Sequence, residues 1–298
     1  MALSGEQYTI VAGDHEATVV EVGAALRRYT HRGEDVVEPF GTDEVAPHSA
    51  GAVLVPWPNR IRAGRYTFAG RDHRLPLSEP ARGNAMHGLA RWVRWRAVRV
   101  EPAAVTLAID LVPQPGWPFE VRVEVGYTLT ADAGLSVVAA ARNHGASAAP
   151  FGAGFHPYLS LRGRPLDEVS LRVPASRRLL LDEAMVPVGV EEVAGTPYDL
   201  RAGRPLGARR LDYTFTGLAF ERGRGEAEVR AGDGGARVWF DGAYGYLQVF
   251  TKEVFAHRGP AVAIEPMTCP ADAFNSGAGL VVLEPGAEWT GSWGIVPL

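Results

Sequence analysis

Hydrophobic and polar residues alternate along many short segments of this chain, and these segments are rich in β-branched and aromatic side chains. A period of two is typical of β-strands that bury one face. We predict strands at residues 8–11, 17–22, 105–112, 119–125, 135–140, 246–250 and 279–283. Helical periodicity does not persist for three turns in any segment. Many short strands without intervening helices predict an all-β protein, built as a large antiparallel β-sandwich.

Turn-forming residues are spread along the whole chain and are not gathered into linkers. The 298 residues include 35 glycines and 22 prolines, and no shift in composition divides them. Single all-β domains can reach this size. The sequence contains no repeat of fixed length, which disfavours a propeller or a β-helix. We therefore predict one domain over residues 1–298.

The segment 261–267, AVAIEPM, is an apolar run that stops at a carboxylate followed by proline. Because proline holds the preceding residue extended, we expect Glu265 at the last position of a buried strand. No lysine or arginine occurs from residue 259 to residue 298, so no local cation pairs with this carboxylate. A desolvated, unpaired carboxyl group keeps its proton to higher pH, which suits a general base near neutrality. The alternative is a solvated glutamate at a strand end.

A second informative segment, residues 53–66, places Trp57 between two prolines and follows it with Asn59 and Arg60. The prolines hold the backbone extended. Amide and guanidinium groups offer several donors in fixed geometry, and an indole face can lie against the C–H face of a sugar. This group of side chains favours a polyhydroxylated ligand. The alternative is a rigid loop in which Asn59 satisfies its own turn and Arg60 reaches solvent.

Two histidines lie where neighbouring residues set the backbone direction. His87 precedes a glycine, which permits a sharp turn, and His156 precedes a proline after a run of small residues. Either suits acid–base chemistry, although histidines in such places are often satisfied core or loop residues. No His-x-x-x-His or carboxylate spacing joins them, and Cys269 is the only cysteine, so we predict no metal site.

Charge and hydropathy narrow the classes of partner. The formal net charge is −4 and the sequence pI is about 6.1, whereas nucleic-acid binders usually carry a basic field. No apolar run approaches the ~20 residues that span a bilayer, and the first residues lack the basic and apolar regions of a signal peptide. The single cysteine excludes an internal disulfide. We predict a cytoplasmic protein that binds neither nucleic acid nor membranes.

Five short motifs, taken together in their order and spacing, resemble those of the aldose 1-epimerases, or galactose mutarotases. They are residues 56–61 (PWPNRI), 87–88 (HG), 156–158 (HPY), 211–215 (LDYTF) and 264–266 (IEP). The resemblance covers nearly the whole chain and implies the galactose mutarotase-like supersandwich, with a site in a cleft on one sheet. Residues 57–60 and 268–275 are more similar to a less characterised bacterial branch, which leaves the substrate open.

The resemblance also implies roles for individual residues. Glu265 matches the catalytic base, His156 the catalytic acid, and His87 a second active-site histidine. Arg60 and Asp212 match residues that hold sugar hydroxyls. The implied activity is that of an isomerase that interconverts the α and β anomers of a small free aldose without a metal or a cofactor. The sequence is compatible with a monomer or a homodimer.

The chemistry of this reaction explains the residue types. The anomeric hydroxyl loses a proton while the ring oxygen gains one; the ring opens, its carbonyl end rotates, and it closes on the other face. We therefore expect Glu265 and His156 on opposite sides of the ring, exchanging roles on closure. We expect His87 to donate to the ring oxygen or steady the developing charge. Arg60 and Asp212 would position the pyranose.

Three other functions stay open at this point. A hexose-6-phosphate epimerase would need further cations for the phosphate group. The candidates are Arg62, Arg65, Arg71 and Arg74. A non-catalytic carbohydrate-binding protein could use the same sandwich, although it would need neither an acid nor a base. A glycoside hydrolase or lyase would pair Asp212 with Glu265 and leave the histidines without a role.

Overall fold

The computed structural model describes residues 2–255 and 259–298. In chain order, its strands are β1 (Gln7–Ala12), β2 (His15–Val20), β3 (Leu26–His31), β4 (Glu34–Val37), β5 (Val53–Leu54), β6 (Arg60–Arg62), β7 (Arg65–Phe68), β8 (Arg71–Arg74), β9 (Asn84–Met86), β10 (Arg96–Glu101), β11 (Ala104–Leu111), β12 (Val121–Thr130), β13 (Gly134–Asn143), β14 (Ala149–Phe151), β15 (Gly154–Phe155), β16 (Tyr158–Ser160), β17 (Val169–Arg172), β18 (Ala175–Leu181), β19 (Pro187–Glu192), β20 (Arg204–Pro205), β21 (Asp212–Leu218), β22 (Arg224–Ala231), β23 (Gly234–Asp241), β24 (Tyr246–Phe255), β25 (Gly259–Met267), β26 (Val281–Leu283) and β27 (Glu288–Pro297).

Helical structure is limited to short turns. The described residues contain one four-residue α-helix, α1 (Ala273–Ser276), and single 3-10 turns at Pro47–Ser49 and Leu166–Glu168. None of these is long enough to cross a membrane. The absence of persistent helical periodicity in the sequence therefore predicted the secondary structure class correctly.

Two large sheets organise the strands, and every strand pairing among the described residues is antiparallel. The larger sheet has 12 strands: ten in the order β1-β2-β3-β4-β16-β25-β24-β21-β18-β19, with β15 paired to β25 and β5 paired to β15. The smaller sheet has nine strands in the order β10-β11-β12-β13-β27-β23-β22-β17-β20. The pairs β14-β26, β6-β9 and β7-β8 form separate ribbons. This architecture confirms the predicted antiparallel β-sandwich.

The core lies between the two sheets and follows from the alternation in the sequence. In β12 the alternate residues Val121, Val123 and Val125 are buried, while the residues between them are partly exposed. They belong to the same hydrophobic cluster as Val262 and Ile264 of the larger sheet. A shared cluster is consistent with one domain over residues 1–298, which stays a prediction.

The two faces of β25 have different roles. Val262 and Ile264 point into the core between the sheets. Because side chains alternate along a strand, Ala263 and Glu265 lie on the opposite, outer face of the larger sheet. Ala263 belongs to a second, smaller apolar cluster there. The Glu265 carboxylate therefore lies on the outer face of the sheet, next to an apolar cluster.

The expectation that Glu265 ends its strand is wrong, because β25 continues through Pro266 to Met267. Pairing with β24 continues opposite Pro266. On the other side of β25 the ladder is interrupted between Ala263, opposite Tyr158, and Met267, opposite Gly154. A proline in this gap removes no donor from a continuous ladder, which is why the strand tolerates it.

The interruption is where the second proline-linked residue lies. His156 and Pro157 fill the break between β15 and β16, and the carbonyl of Pro157 accepts a hydrogen bond from the Ile264 N–H at 3.4 Å. His156 and Pro157 lie outside the ladder but run alongside β25, so His156 comes directly beside Glu265. The local fold thus joins two residues that are more than a hundred positions apart in sequence.

Candidate active site

A cleft of about 550 Å³ opens on the outer face of the larger sheet. This size is within the range of small-molecule sites in proteins. Six of the seven site residues predicted from the sequence line it. They are Asn59, Arg60, His87, His156, Asp212 and Glu265.

The polar floor of the cleft is set by the register of three adjacent strands. Glu265 of β25 is directly opposite Gln248 of β24, which is directly opposite Thr214 of β21. Such cross-strand partners point to the same face of a sheet. The Gln248 amide accepts a hydrogen bond from the Thr214 hydroxyl and donates to Asp212 Oδ1 at 2.6 Å. Gln248, which the sequence analysis missed, therefore orients Asp212 from beneath.

The Glu265 carboxyl group lies against the His156 imidazole, with 3.4 Å between Oε1 and Nε2. Glu265 is only 2% exposed. Burial raises the pKa of Glu265 well above its usual value, the nearby charge of Asp212 raises it further, and Arg60 opposes these effects. Burial also lowers the pKa of His156 to about 3. Desolvation therefore favours a carboxylic acid beside a neutral imidazole, as expected for Glu265 from its sequence context.

The short contact excludes one expectation. A pyranose ring does not fit between two atoms that are 3.4 Å apart, so the prediction that Glu265 and His156 flank the ring is wrong. Both side chains instead line the same part of the cleft. The anomeric oxygen and the ring oxygen are bonded to the same carbon, so adjacent protein groups can reach both at once. The 3.4 Å between Glu265 Oε1 and His156 Nε2 suits contact with two such neighbouring oxygens.

His87 is held in one tautomer by the backbone. It follows β9 with a left-handed φ of 60°. Its backbone N–H donates to the Asn59 carbonyl at 2.7 Å. The Asn59 N–H in turn donates to His87 Nδ1 at 3.1 Å. Nδ1 is therefore an acceptor, and in the neutral ring the proton is on Nε2. Burial lowers the pKa of His87 well below its usual value, which keeps the ring neutral.

The glycine after His87 is required by a close approach of the backbone. Gly88 has a φ of 70°, and a Cβ atom at this position would lie 2.0 Å from the carbonyl oxygen of Val55. The next residue, Leu89, donates its N–H to that same carbonyl at 2.8 Å. A side chain at this position would force the turn after His87 or the Val55 backbone to shift.

Arg60 is fixed by a carboxylate that the sequence analysis missed. Its Nε and Nη2 donate to the two oxygens of Glu79 at 2.8 and 2.9 Å, and Nη1 donates to Asn59 Oδ1 at 3.2 Å. Although burial opposes ionisation, hydrogen bonds from Arg60 and Asn84 hold the pKa of Glu79 at about 2. Two of the five N–H donors of Arg60 stay free for a ligand. Glu79 lies in a loop, and no spacing in the sequence distinguishes it.

Trp57 does not lie where the sequence analysis expected it. Its indole is 2% exposed and packs in the core, with ring centroids 5.7 Å from Phe274 and 6.4 Å from Trp117. It does not line the cleft, so it cannot lie against a bound sugar. The rim instead carries Trp92, which is 55% exposed. The backbone is not extended here as expected: it bends at Pro56, Pro58 and Asn59, and Trp57 points into the core.

The four arginines proposed for a phosphate group also lie elsewhere. Arg62 forms an ion pair with Asp182, with 2.6 Å between Nη2 and Oδ2. The other three are in the β7-β8 ribbon, outside the cleft lining. The cations that line the cleft are Arg60, Arg82 and Arg91. Within the described parts of the chain, no three His, Cys, Asp or Glu residues are grouped to hold a metal ion.

Comparison with known proteins agrees with this arrangement. A family model for aldose 1-epimerase matches residues 6–295. The chain is 35% identical over 286 residues to the Escherichia coli (strain K12) protein named "Uncharacterized protein YihR", covering 96% of this chain and 91% of that protein. It is 30% identical over 178 residues to the galactose mutarotase of Mus musculus, covering 56% of this chain and 50% of that protein.

Solved structures show the same fold. The GalM/aldose epimerase homologue from C. elegans superposes with a TM-score of 0.88 at 20% identity, covering 98% of both chains. The galactose 1-epimerase from Lactobacillus acidophilus NCFM superposes with a TM-score of 0.81 at 20% identity, covering 96% of this chain and 92% of that one. At this identity the likeness confirms the galactose mutarotase-like sandwich.

The positions of Trp57 and Trp92 predict the source of any fluorescence response to a sugar. Trp92 lines the cleft, so Trp92→Phe should remove most of the emission change when an aldose is added. Trp57→Phe should leave that change in place, because this indole is shielded by the core. A titration of each variant with a saturating aldose checks this. A signal that is lost in Trp57→Phe and kept in Trp92→Phe would contradict the assignment.

Proposed function

Because this chain belongs to the aldose 1-epimerase family, an isomerase family, we propose that it interconverts the α and β anomers of a free aldose in the cleft described above. The observation that carries the proposal is the contact between Glu265 and His156 on the cleft floor. Galactose is one candidate substrate, since similar proteins are named galactose mutarotases.

The pair contains the one movable proton that anomerisation needs. A carboxylic acid beside an imidazole and a carboxylate beside an imidazolium hold the same protons. They differ only in the position of one proton along the 3.4 Å contact. Burial favours the first form in the empty cleft, whereas polar sugar hydroxyls and the nearby Arg60 charge favour the second. A bound sugar therefore prepares the pair for reaction.

The reaction starts from the second form, in which Glu265 is a carboxylate and His156 an imidazolium, and its proton transfers are balanced. Glu265 takes the proton of the anomeric hydroxyl while His156 Nε2 gives its proton to the ring oxygen. The bond between C1 and the ring oxygen breaks, and a carbonyl group forms at C1. After rotation about the C1–C2 bond, the two transfers run in reverse and close the ring on the other face. The pair returns to its starting state, so no other reactant is required.

The surrounding polar groups position the sugar. His87 presents its Nε2–H to the charge that develops near the ring oxygen. Arg60 offers its two remaining N–H donors, and Asp212 offers the oxygen that does not accept from Gln248. Because Glu79 and Gln248 hold these side chains before the sugar binds, little ordering is left to the binding step.

The test is the rate at which freshly dissolved aldoses approach anomeric equilibrium, followed by polarimetry or NMR, with and without the protein. Glu265→Gln keeps the shape of the side chain and removes the base, and His156→Asn removes the acid. Each should lower kcat by about 10²–10⁴-fold with a smaller change in KM, because positioned proton transfer contributes this much. The double variant should lose less than the product of the two single losses, because the two groups act in one step.

Glu288→Gln is the matched control, since Glu288 is exposed on β27 and lies outside the cleft. It should turn over substrate at the rate of the unaltered protein. Near-normal turnover in Glu265→Gln would remove this residue as the base. If no aldose is anomerised faster by the unaltered protein, the proposed function is wrong and a non-catalytic carbohydrate-binding protein is favoured.

The directions of the pKa shifts predict the pH profile. The pair is active with one movable proton. A second proton is added only at low pH, because the pKa of His156 is lowered to about 3, so activity should persist well below pH 6.5. As pH rises through the raised pKa of Glu265, the pair loses its proton and kcat/KM should fall. The measurement is kcat/KM against pH after subtraction of the uncatalysed rate. An acidic decline centred near the ordinary histidine value of about 6.5 would show that His156 is not kept neutral.

A further inference from the structure

Arg91 is a buried cation in the cleft that the proposed reaction does not use. It is 6% exposed, lines the cleft, and donates from Nη1 to Ser49 Oγ at 3.0 Å. The ring of Trp92 covers one face of its guanidinium group at 3.8 Å. Within residues 2–255 and 259–298 it forms no ion pair with a carboxylate, unlike Arg60. A buried charge without a counterion is costly, so a ligand that supplies the counterion is favoured.

The charge balance of this side of the cleft is positive. Three guanidinium groups line it, and Glu79 is the carboxylate that binds two of them, Arg60 and Arg82. Glu79 also attracts Arg91 at longer range, but its oxygens already accept from the other two arginines. Burial lowers the pKa of Arg91 only to about 10, so this third guanidinium stays charged near neutral pH. Arg91 is therefore the cation of the cleft lining that no carboxylate among the described residues binds, and a bound anion would neutralise it.

The position of Arg91 relative to the histidines indicates which part of a sugar it meets. Its hydrogen-bond partner Ser49 begins a segment that lies beside His156, where the Gly51 N–H donates to the His156 carbonyl at 2.9 Å. Asp212 and Gln248 lie on the other side of Glu265, on β21 and β24. Arg91 is thus on the histidine side of the catalytic pair. In the proposed reaction His156 faces the ring oxygen, which is bonded to C5, and C5 carries C6.

We propose that Arg91 determines substrate specificity by binding an anionic group at C6 of the aldose. This inference rests on the proposed function, because His156 defines the ring-oxygen side. The planar guanidinium group matches the oxygens of a carboxylate, phosphate or sulfate in a two-point contact. Ser49 and Trp92 hold it in place without neutralising it. The substrate class is therefore the acidic or esterified aldoses with a free anomeric hydroxyl.

The experiment compares kcat/KM for anomerisation of glucose, glucose 6-phosphate, glucose 6-sulfate and glucuronate. A charge-assisted contact should favour at least one anionic sugar over glucose by about tenfold or more. The sugar with the largest ratio identifies the shape and charge of the group. Arg91→Gln should reduce that ratio to near one. Arg91→Lys should keep part of it, because it retains the charge and loses the two-point contact.

Two controls separate this contact from general effects. Arg99→Gln removes the same charge from an exposed arginine on β10 and should leave the ratio unchanged. If Arg91→Gln does not fold, Ser49→Ala replaces it, because this change keeps the charge and removes the hydrogen bond that orients it. A reduced ratio in Ser49→Ala supports the proposal, and an unchanged ratio opposes it.

Thermal unfolding gives a readout that does not depend on turnover. Glucose 6-phosphate should raise Tm more than glucose in the unaltered protein, and Arg91→Lys should reduce the difference. Faster turnover of glucose than of every anionic sugar would overturn the role of Arg91 and leave the proposed function intact. Anomerisation of none of these four sugars, nor of galactose or any other aldose, together with equal Tm shifts, would overturn both.

Discussion

The desolvated contact between Glu265 and His156 is the interaction on which the rest of the site depends. It exists because the larger sheet is interrupted beside β25, where each of the two residues is followed by a proline. This gap lets His156 contact the Glu265 carboxyl group, while pairing on the β24 side of β25 continues. The apolar cluster around Ala263 then limits water at this point. Burial moves both pKa values towards the neutral forms, so the pair retains one transferable proton over a wide pH range.

The remaining polar side chains are fixed before a ligand arrives, and each is fixed by a different kind of structure. The register of the sheet places Gln248 next to Asp212, and an ion pair with Glu79 holds Arg60. The backbone of Asn59 sets the tautomer of His87. A sugar therefore meets donors and acceptors in set positions, which lowers the entropic cost of reaching a reactive arrangement. Arg91 differs, since no carboxylate among the described residues forms an ion pair with it.

The sequence predicted the fold class, and it singled out Glu265 and His156, which the structure brings into contact in the cleft, because both leave local signals. Alternation revealed the sandwich, and a following proline marked Glu265 and His156. Long-range geometry was not predictable in the same way. The bends at Pro56 and Pro58 and the packing of Trp57 against Phe274 depend on residues far away in the sequence. Gln248 and Glu79 acquire their positions from strand register and loop closure, so no local spacing distinguishes them. The closeness of Glu265 and His156 depends on the interrupted ladder, which the sequence does not encode locally.

The central claim is that the cleft keeps Glu265 protonated beside a neutral His156 before a sugar binds. Difference infrared spectroscopy of the ligand-free protein against Glu265→Gln at neutral pH tests it directly, with carbon-13 labelling of glutamate to assign the bands. We predict a carbonyl band of a protonated carboxylic acid that shifts on labelling and is absent from the variant. A difference spectrum with only carboxylate bands would show that Glu265 is ionised in the empty cleft, and would contradict the account.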